Sequence, residues 1–154
     1  MNKRSSAMIS LRPSSRGELV IFDEMDRQDH ASNFVDQIGL DIHKTYFDNP
    51  AITYLTIENR SGELAGYFIL VTEADNNSLE FRRIIIDKSK RGVGQIAIAE
   101  MEKYCTTEFN VRRIWLDVYE DNLIGKHIYQ KMGYKPFRVK LVEERKLEFY
   151  EKSF

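Results

Sequence analysis

The chain has 154 residues, 42% of them hydrophobic and 31% charged, with 23 lysines and arginines against 24 aspartates and glutamates. The formal net charge of -1 excludes a global basic field that would hold nucleic acid or an anionic membrane, and the composition excludes disorder as a description of the whole chain. One cysteine, Cys105, excludes an intramolecular disulfide, and three histidines (His30, His43, His127) without a His-x-x-x-His pair argue against a transition metal, so none is expected.

The length fits a single domain over residues 1–154. Residues 1–16 carry charge but lack the apolar stretch of a signal peptide. No apolar run approaches the ~20 residues that cross a bilayer. A cytoplasmic protein without a membrane partner is the expectation.

Met8–Arg12 reads as a first strand, closed by Pro13 and a Ser-Ser-Arg-Gly loop. Gly17–Gly39 reads as helical in two pieces: Leu19, Phe22, Met25 and Asp26 show the helical spacing, Phe34, Val35 and Ile38 continue it, and Gly39 is the expected stop. His43–Asp48 predicts a further short helix before Asn49-Pro50. From Ala51 the period changes. "AITYLTIEN", "ELAGYFILVTE" and "LEFRRIIID" predict three antiparallel strands, separated by turns at Asn59–Gly62 and Ala74–Ser78.

After Gly92 and Gly94 the pattern is helical, with Val93, Ala97, Met101 and Cys105 at four-residue intervals. Arg112–Glu120 predicts a strand. Asp121-Asn122 predicts an N-cap for a short helix over Leu123–Met132, closed by Gly133. "YKPFRVKLV" and "KLEFYEKSF" predict a hairpin across Glu143–Lys146. The order implies an α/β chain with a mixed, mostly antiparallel sheet.

Chemistry concentrates between Glu80 and Tyr134. The strand Ile84-Ile85-Ile86 runs into Lys90-Arg91-Gly92-Val93-Gly94-Gln95-Ile96 and then a helix. Glycines at such a junction let a ligand approach the backbone, and first-turn N–H groups lack intrahelical acceptors, so the site suits an anion such as a pyrophosphate. Arg91 adds a charge-assisted contact. No G-x-x-x-x-G-K-[ST] run exists. Gly92-Val93-Gly94 followed by Ala97 leaves a dinucleotide fingerprint open by that test alone; the preceding meander weighs against it.

Arg91-Gly92-Val93-Gly94-Gln95-Ile96 resembles the [QR]-x-x-G-x-[GA] signature of the Gcn5-related N-acetyltransferase (GNAT) superfamily, with Ile96 in place of the final Gly/Ala. Downstream, Asn122-Leu123-Ile124-Gly125, Ile128-Tyr129 and Gly133-Tyr134 resemble the family's Asn-x-x-Ala, Leu-Tyr and Gly-Phe/Tyr blocks, with Gly125 for Ala. The resemblance covers Leu11 to Tyr134 and is nearest the bacterial branch of ribosomal-protein and amino-sugar N-acetyltransferases. It implies about six or seven strands flanked by about four helices, with a V-shaped splay between the central strands.

The resemblance also implies acetyl-CoA as cosubstrate. Arg91 and Gly92 would shape the pyrophosphate loop, and the N–H groups of Val93, Gly94, Gln95 and Ile96 would hold the anion. Ile84, Ile85 and Ile86 would pair their backbone with the pantetheine arm. Asn122 would orient that arm or cap its helix. Tyr129 is the expected donor to the departing thiolate. Glu80 is the expected base, with Asp117 in reserve, because an alkyl amine with a pKa of ~10 must lose its proton before it attacks. Direct transfer to a small-molecule or protein amine is implied.

Each side chain has a plainer reading. Glu80 pairs with Arg82, Arg83 or Arg112; the arginine pairs are solvated or ion-paired; Trp115 packs; Cys105 is core; His43 lies at the surface. Asp23, Glu24 and Asp26 either attract a cationic amine or form a solvated helix face. Two rival functions stand beside the enzyme. One is a non-catalytic acyl-CoA-binding or regulatory domain. The other is a nucleotide-binding or oxidoreductase domain, which a parallel sheet would favour. Acceptor specificity is expected in Gly17–Asn49 and Glu143–Lys146, and a homodimer through sheet-edge or hairpin pairing.

Overall fold

A computed structural model describes residues 9–28, 36–87 and 92–154. Seven strands form one sheet: β1 (Ile9–Pro13), β2 (Ile52–Asn59), β3 (Leu64–Thr72), β4 (Ser78–Ile86), β5 (Arg113–Tyr119), β6 (Lys135–Val142) and β7 (Arg145–Ser153). Their spatial order is β1-β2-β3-β4-β5-β7-β6. Every neighbouring pair is antiparallel except β4 and β5. A parallel step needs a crossover, and the helix α3 (Gly94–Glu108) lies in that connection. The mixed, mostly antiparallel sheet read from the sequence is therefore present, and a parallel nucleotide-binding sheet is not.

Both faces of the central strands are buried, which explains why β3 reads as a continuous apolar run rather than an alternation. Tyr67 and Ile69 meet Leu19, Phe22 and Met25 of α1 (Leu19–Met25). Phe68 and Leu70 face the other way, onto Ala97, Ile98, Met101 and Cys105 of α3. A second helix, α2 (Leu40–Asp48), packs beside α1, and α4 (Leu123–Lys131) lies on the side of α3. These four helices match the expected number among the described residues.

Local chemistry adjusts the helix boundaries. The Gly17 region opens as a 3-10 turn (Arg16–Glu18), in which Glu18 Oε1 accepts the Ser15 N–H at 2.9 Å, and α1 begins only at Leu19. Gly39, expected to stop a helix, instead precedes one: it sits at φ +85° as the N-cap of α2. Met8, Phe34 and Val35 lie outside the described residues. The β6–β7 hairpin turns on Glu143 and Glu144, at φ +48° and +69°; β6 ends at Val142 as expected, and β7 begins at Arg145, one residue before the expected Lys146.

The splay arises from two features of β4. Its pairing with β5 stops after Ser78–Arg113, Leu79–Ile114 and Glu80–Trp115. Immediately afterwards its register against β3 shifts: Leu70 faces Phe81, Ile69 faces Arg83, and Arg82 is the extra residue of a bulge. A bulge bends its strand and increases its twist. Beyond Glu80 the two strands part, and the sheet opens at its centre.

Candidate active site

The opening is a cavity of about 350 Å³. Side chains from both faces of the sheet line it. Phe81, Ile84, Leu116 and Tyr129 come from the α3–α4 side, and Glu80, Arg82, Asp117 and Tyr46 from the α1–α2 side. The slot thus runs through the sheet and has two mouths.

At the α3 end, Gly92 adopts φ +94°, a value that a side chain strains to reach, and Val93 takes the N-cap position. The Ala97 N–H closes the first helical bond on Val93 O at 2.8 Å. The N–H groups of Gly94, Gln95 and Ile96 therefore precede any intrahelical acceptor, and the N-cap residue Val93 offers them no side-chain hydrogen bond. A Cβ on Gly92 or on Gly94 would meet nothing within 4 Å, so this turn is open on its outer side. Val93 and Ile96 turn inward and pack with Ile84 and Ile86 on the main core. Amides facing outward and apolar chains facing inward fit a pyrophosphate against the backbone. Arg91 lies outside the described residues. The backbone of residues 81–86 runs past the end of the β5 ladder, where an amide-bearing chain could add in its place.

Tyr129 is half-buried on α4, with its ring edge-on to Phe81 at 5.9 Å and to Tyr134 at 6.2 Å. Burial, and then the charge of Asp117, push its phenol up to about 12. It stays protonated at neutral pH, and its hydroxyl makes no hydrogen bond to a described residue. Asn122 caps α4, its Oδ1 accepting the Gly125 N–H at 2.9 Å. A Cβ on residue 125 would lie 2.7 Å from Asn122 Nδ2, so the glycine standing where the family pattern has alanine makes room for this cap. Asn122 also lines the slot.

Glu80 is held by its neighbour. Arg82 donates from Nη2 to Oε1 at 2.8 Å and from Nε to Oε2 at 3.2 Å, and its guanidinium lies 5.4 Å from the Tyr46 ring centroid. Asp117 has no ion pair among the described residues. Desolvation by the slot walls, and then the charge of Glu80, push its carboxyl above the usual carboxylate range. The reserve base is thus the freer of the two carboxylates.

Two side chains depart from their plain readings. His43 is fully buried rather than at the surface. Asp26 is fully buried too, neither solvated nor available to a ligand, and Asp23 pairs with Arg27 at 2.7 Å. Arg83 is ion-paired as expected, on Asp26 at 3.2 Å, but it is only 9% exposed and also bonded to the Asp36 carbonyl; Arg113 is ion-paired with Glu151 at 2.7 Å. Trp115 packs as expected, stacked on Phe149, with its indole N–H donated to Glu73 at 3.1 Å. Cys105 is core, and burial pushes its thiol up to about 12, far from a reactive thiolate. Asp36 and Tyr46 line the slot unforeseen, because a lone carboxylate and a lone ring in variable helices carry no motif.

The model of the Acetyltransferase (GNAT) family matches residues 19–134. No curated protein matches the sequence. Among solved structures, a spermidine N-acetyltransferase from Vibrio cholerae in complex with CoA and spermine superimposes with a TM-score of 0.82 at 20% identity, covering 96% of each chain. A dodecameric structure of spermidine N-acetyltransferase from the same organism superimposes with a TM-score of 0.76 at 18% identity, covering 96% of this chain and 94% of that one. At these identities the likeness speaks for the fold. The family match spans most of the chain and includes both the glycine turn and the helix of Tyr129, and on that ground the chain belongs to the GNAT acetyltransferase family.

Proposed function

We propose that this acetyltransferase moves an acetyl group from acetyl-CoA to a primary amine by direct attack, with the two substrates entering the slot from opposite mouths. The observation that carries this reading is the opening between β4 and β5, with free helix amides and Tyr129 on one side of the sheet and carboxylates on the other. The amides of Val93, Gly94, Gln95 and Ile96 hold the pyrophosphate, with Arg91 and Gly92 shaping the turn. Residues Ile84 to Ile86 lend their backbone to the pantetheine arm, whose position Asn122 helps to fix from its capping place.

The amine nitrogen attacks the thioester carbon and the C–S bond breaks, its electron pair passing to sulfur. The proton shed by the nitrogen goes to Asp117, directly or through water; Glu80 takes this role only if Arg82 releases it. Tyr129 steadies the sulfur. A phenol at about 12 is a weaker acid than a thiol at ~8.5, so it donates a hydrogen bond to the thiolate and keeps its proton.

The acceptor mouth carries Asp36, Glu80 and Asp117 against Arg82, already paired with Glu80, and Arg83, already paired with Asp26. This excess of negative charge suits a cationic alkyl amine, the class to which the polyamines of the Vibrio cholerae enzymes belong. The chain is read as one domain over residues 1–154, and no described helix is long and apolar enough to cross a membrane. The outer strand β6 leaves Val139 and Leu141 59% and 68% exposed, and a second copy of the chain would cover this edge in a homodimer.

The test is release of CoA thiol from acetyl-CoA in the presence of spermidine, amino sugars, amino acids or amino-terminal peptides. Polyamines are expected to turn over fastest. A preference for amino acids or neutral sugars would remove the electrostatic reading of the acceptor, and no turnover with any amine would remove the enzyme reading.

A further inference from the structure

A cluster of polar side chains lies under α1 and α2, beside the slot but outside the reaction described above. Asp26 follows α1 directly and its N–H is bonded to Phe22 O at 3.0 Å. Its carboxylate accepts two hydrogen bonds and lies beside one cation. The Tyr67 hydroxyl donates to Oδ1; His43 Nε2, which must carry its proton because a carboxylate only accepts, donates to Oδ2 at 2.7 Å; and Arg83 Nη1 lies 3.2 Å from Oδ2. His43 Nδ1 meets the Tyr54 hydroxyl at 2.7 Å. The cluster joins α1, α2, β2, β3 and β4 across otherwise apolar surroundings.

Arg83 is its one member with a second attachment. It stands directly after the bulge that opens the slot, and its Nη2 donates to the main-chain carbonyl of Asp36 at 2.7 Å. Asp36, Ile38 and Tyr46 form the α2-side wall of the acceptor mouth. One rigid, forked guanidinium therefore spans from a buried carboxylate to the backbone that begins this wall, a geometry a flexible ammonium does not reproduce. Burying a charge of this kind is costly unless it is paired; Asp26 supplies the counter-charge 3.2 Å from Nη1, which itself makes no hydrogen bond, and the Nη2 bond to the Asp36 carbonyl anchors the other arm.

Resting on the reading of this mouth as the acceptor side, we propose that Arg83, aimed by Asp26, is a positioning residue that sets the Asp36–Tyr46 wall against β4 and thereby governs acceptor binding without touching the reacting atoms. Acetyl-CoA, held from the opposite face of the sheet, is insensitive to it.

The experiment compares wild type, Arg83→Lys and Arg83→Gln by steady-state kinetics with spermidine and acetyl-CoA, and by backbone hydrogen exchange. In Arg83→Gln the KM for the amine rises roughly tenfold or more, as misplaced walls cost binding, while the KM for acetyl-CoA stays within about twofold. Arg83→Lys keeps the charge on Asp26 but cannot span both partners, so it folds and gives an intermediate rise. In both variants the amides of the first turns of α2, from the His43 N–H now bonded to Gly39 O, exchange faster and those of α3 do not. Parallel rises in both KM values, or unchanged exchange in the first turns of α2 in Arg83→Lys, would overturn the proposal. If wild type acetylates no amine, the reading of the mouth fails by itself, and the exchange comparison still decides whether Arg83 holds the wall.

Discussion

Replacing Gly66 by alanine is expected to loosen the strand proposed to carry the acetyl-CoA contacts. Gly66 faces Ile86 across β3 and β4, and a Cβ built on it lies 2.2 Å from the Ile85 carbonyl oxygen and 3.1 Å from Ile86 Cα. Even a favourable carbon–oxygen contact sits at about 3.3 Å, so the two backbones must separate by about 1 Å at this point. Overpacking of this kind costs about 1–3 kcal/mol. The adjacent bond from the Asp87 N–H to Ala65 O, now 2.8 Å, is stretched at a further cost of about 1 kcal/mol. Stiffening of the unfolded chain offsets about 0.4–1 kcal/mol. The net loss is about 1–3.6 kcal/mol, which for a chain of this size lowers Tm by roughly 2–14 °C. Because Ile85 and Ile86 move, the KM for acetyl-CoA rises as well. Gly17→Ala is the control: a Cβ there meets nothing within 4 Å, and its effect stays within about 0.5 kcal/mol. Thermal melts of the three proteins decide the matter. A Gly66→Ala protein that melts with wild type and binds acetyl-CoA equally well would refute the steric reasoning.

Two predictions concern the reacting groups. Tyr129→Phe lowers kcat about 10²-fold with acetyl-CoA affinity and Tm nearly unchanged, since the lost hydroxyl serves the departing sulfur and bonds no described residue; an unchanged kcat would remove Tyr129 from the reaction. Asp117 acts ionised, so the rate falls as the pH drops through its raised pKa; Asp117→Asn abolishes this acidic limb and Glu80→Gln leaves it in place, and a limb that survives in Asp117→Asn assigns the base elsewhere. The same raised pKa means that the folded state takes up the proton more readily than the unfolded chain. The carboxylate therefore costs stability at neutral pH, Asp117→Asn melts higher than wild type there, and the difference closes as acid protonates both states.

How much of this was legible depends on the range of the interaction involved. The three-strand meander, the glycine turn before α3 and the Asn122 cap each follow from local rules, and each stands where the residues placed it, within a residue or two. Gly39 misled because a glycine with positive φ serves a helix start as readily as a stop, and no local signal separates the two. His43 and Asp26 read as surface residues, and the partner of Arg83 stayed hidden, because nothing nearby in sequence pairs them; their partners lie 11 to 57 positions away, and only the folded sheet brings one carboxylate, one imidazole, two phenols and a guanidinium together. Glu80 was identifiable as a slot residue with Arg82, Arg83 and Arg112 as candidate partners, but not which of the three holds it. That choice depends on the bulge, and a bulge leaves no mark in the alternation of "LEFRRIIID".

Three residue pairs are all that stitch β4 to β5, so the sheet is mechanically two leaves, one of four strands and one of three, bound along a short spine. Beyond Glu80 the facing edges of β4 and β5 no longer pair with each other, at the middle of the sheet. On the function proposed above, a cosubstrate that slides between the leaves supplies the missing rungs and acts as a clasp. Its arrival should stiffen the whole domain about that spine, so that loading the acyl donor readies the opposite face to receive the second substrate.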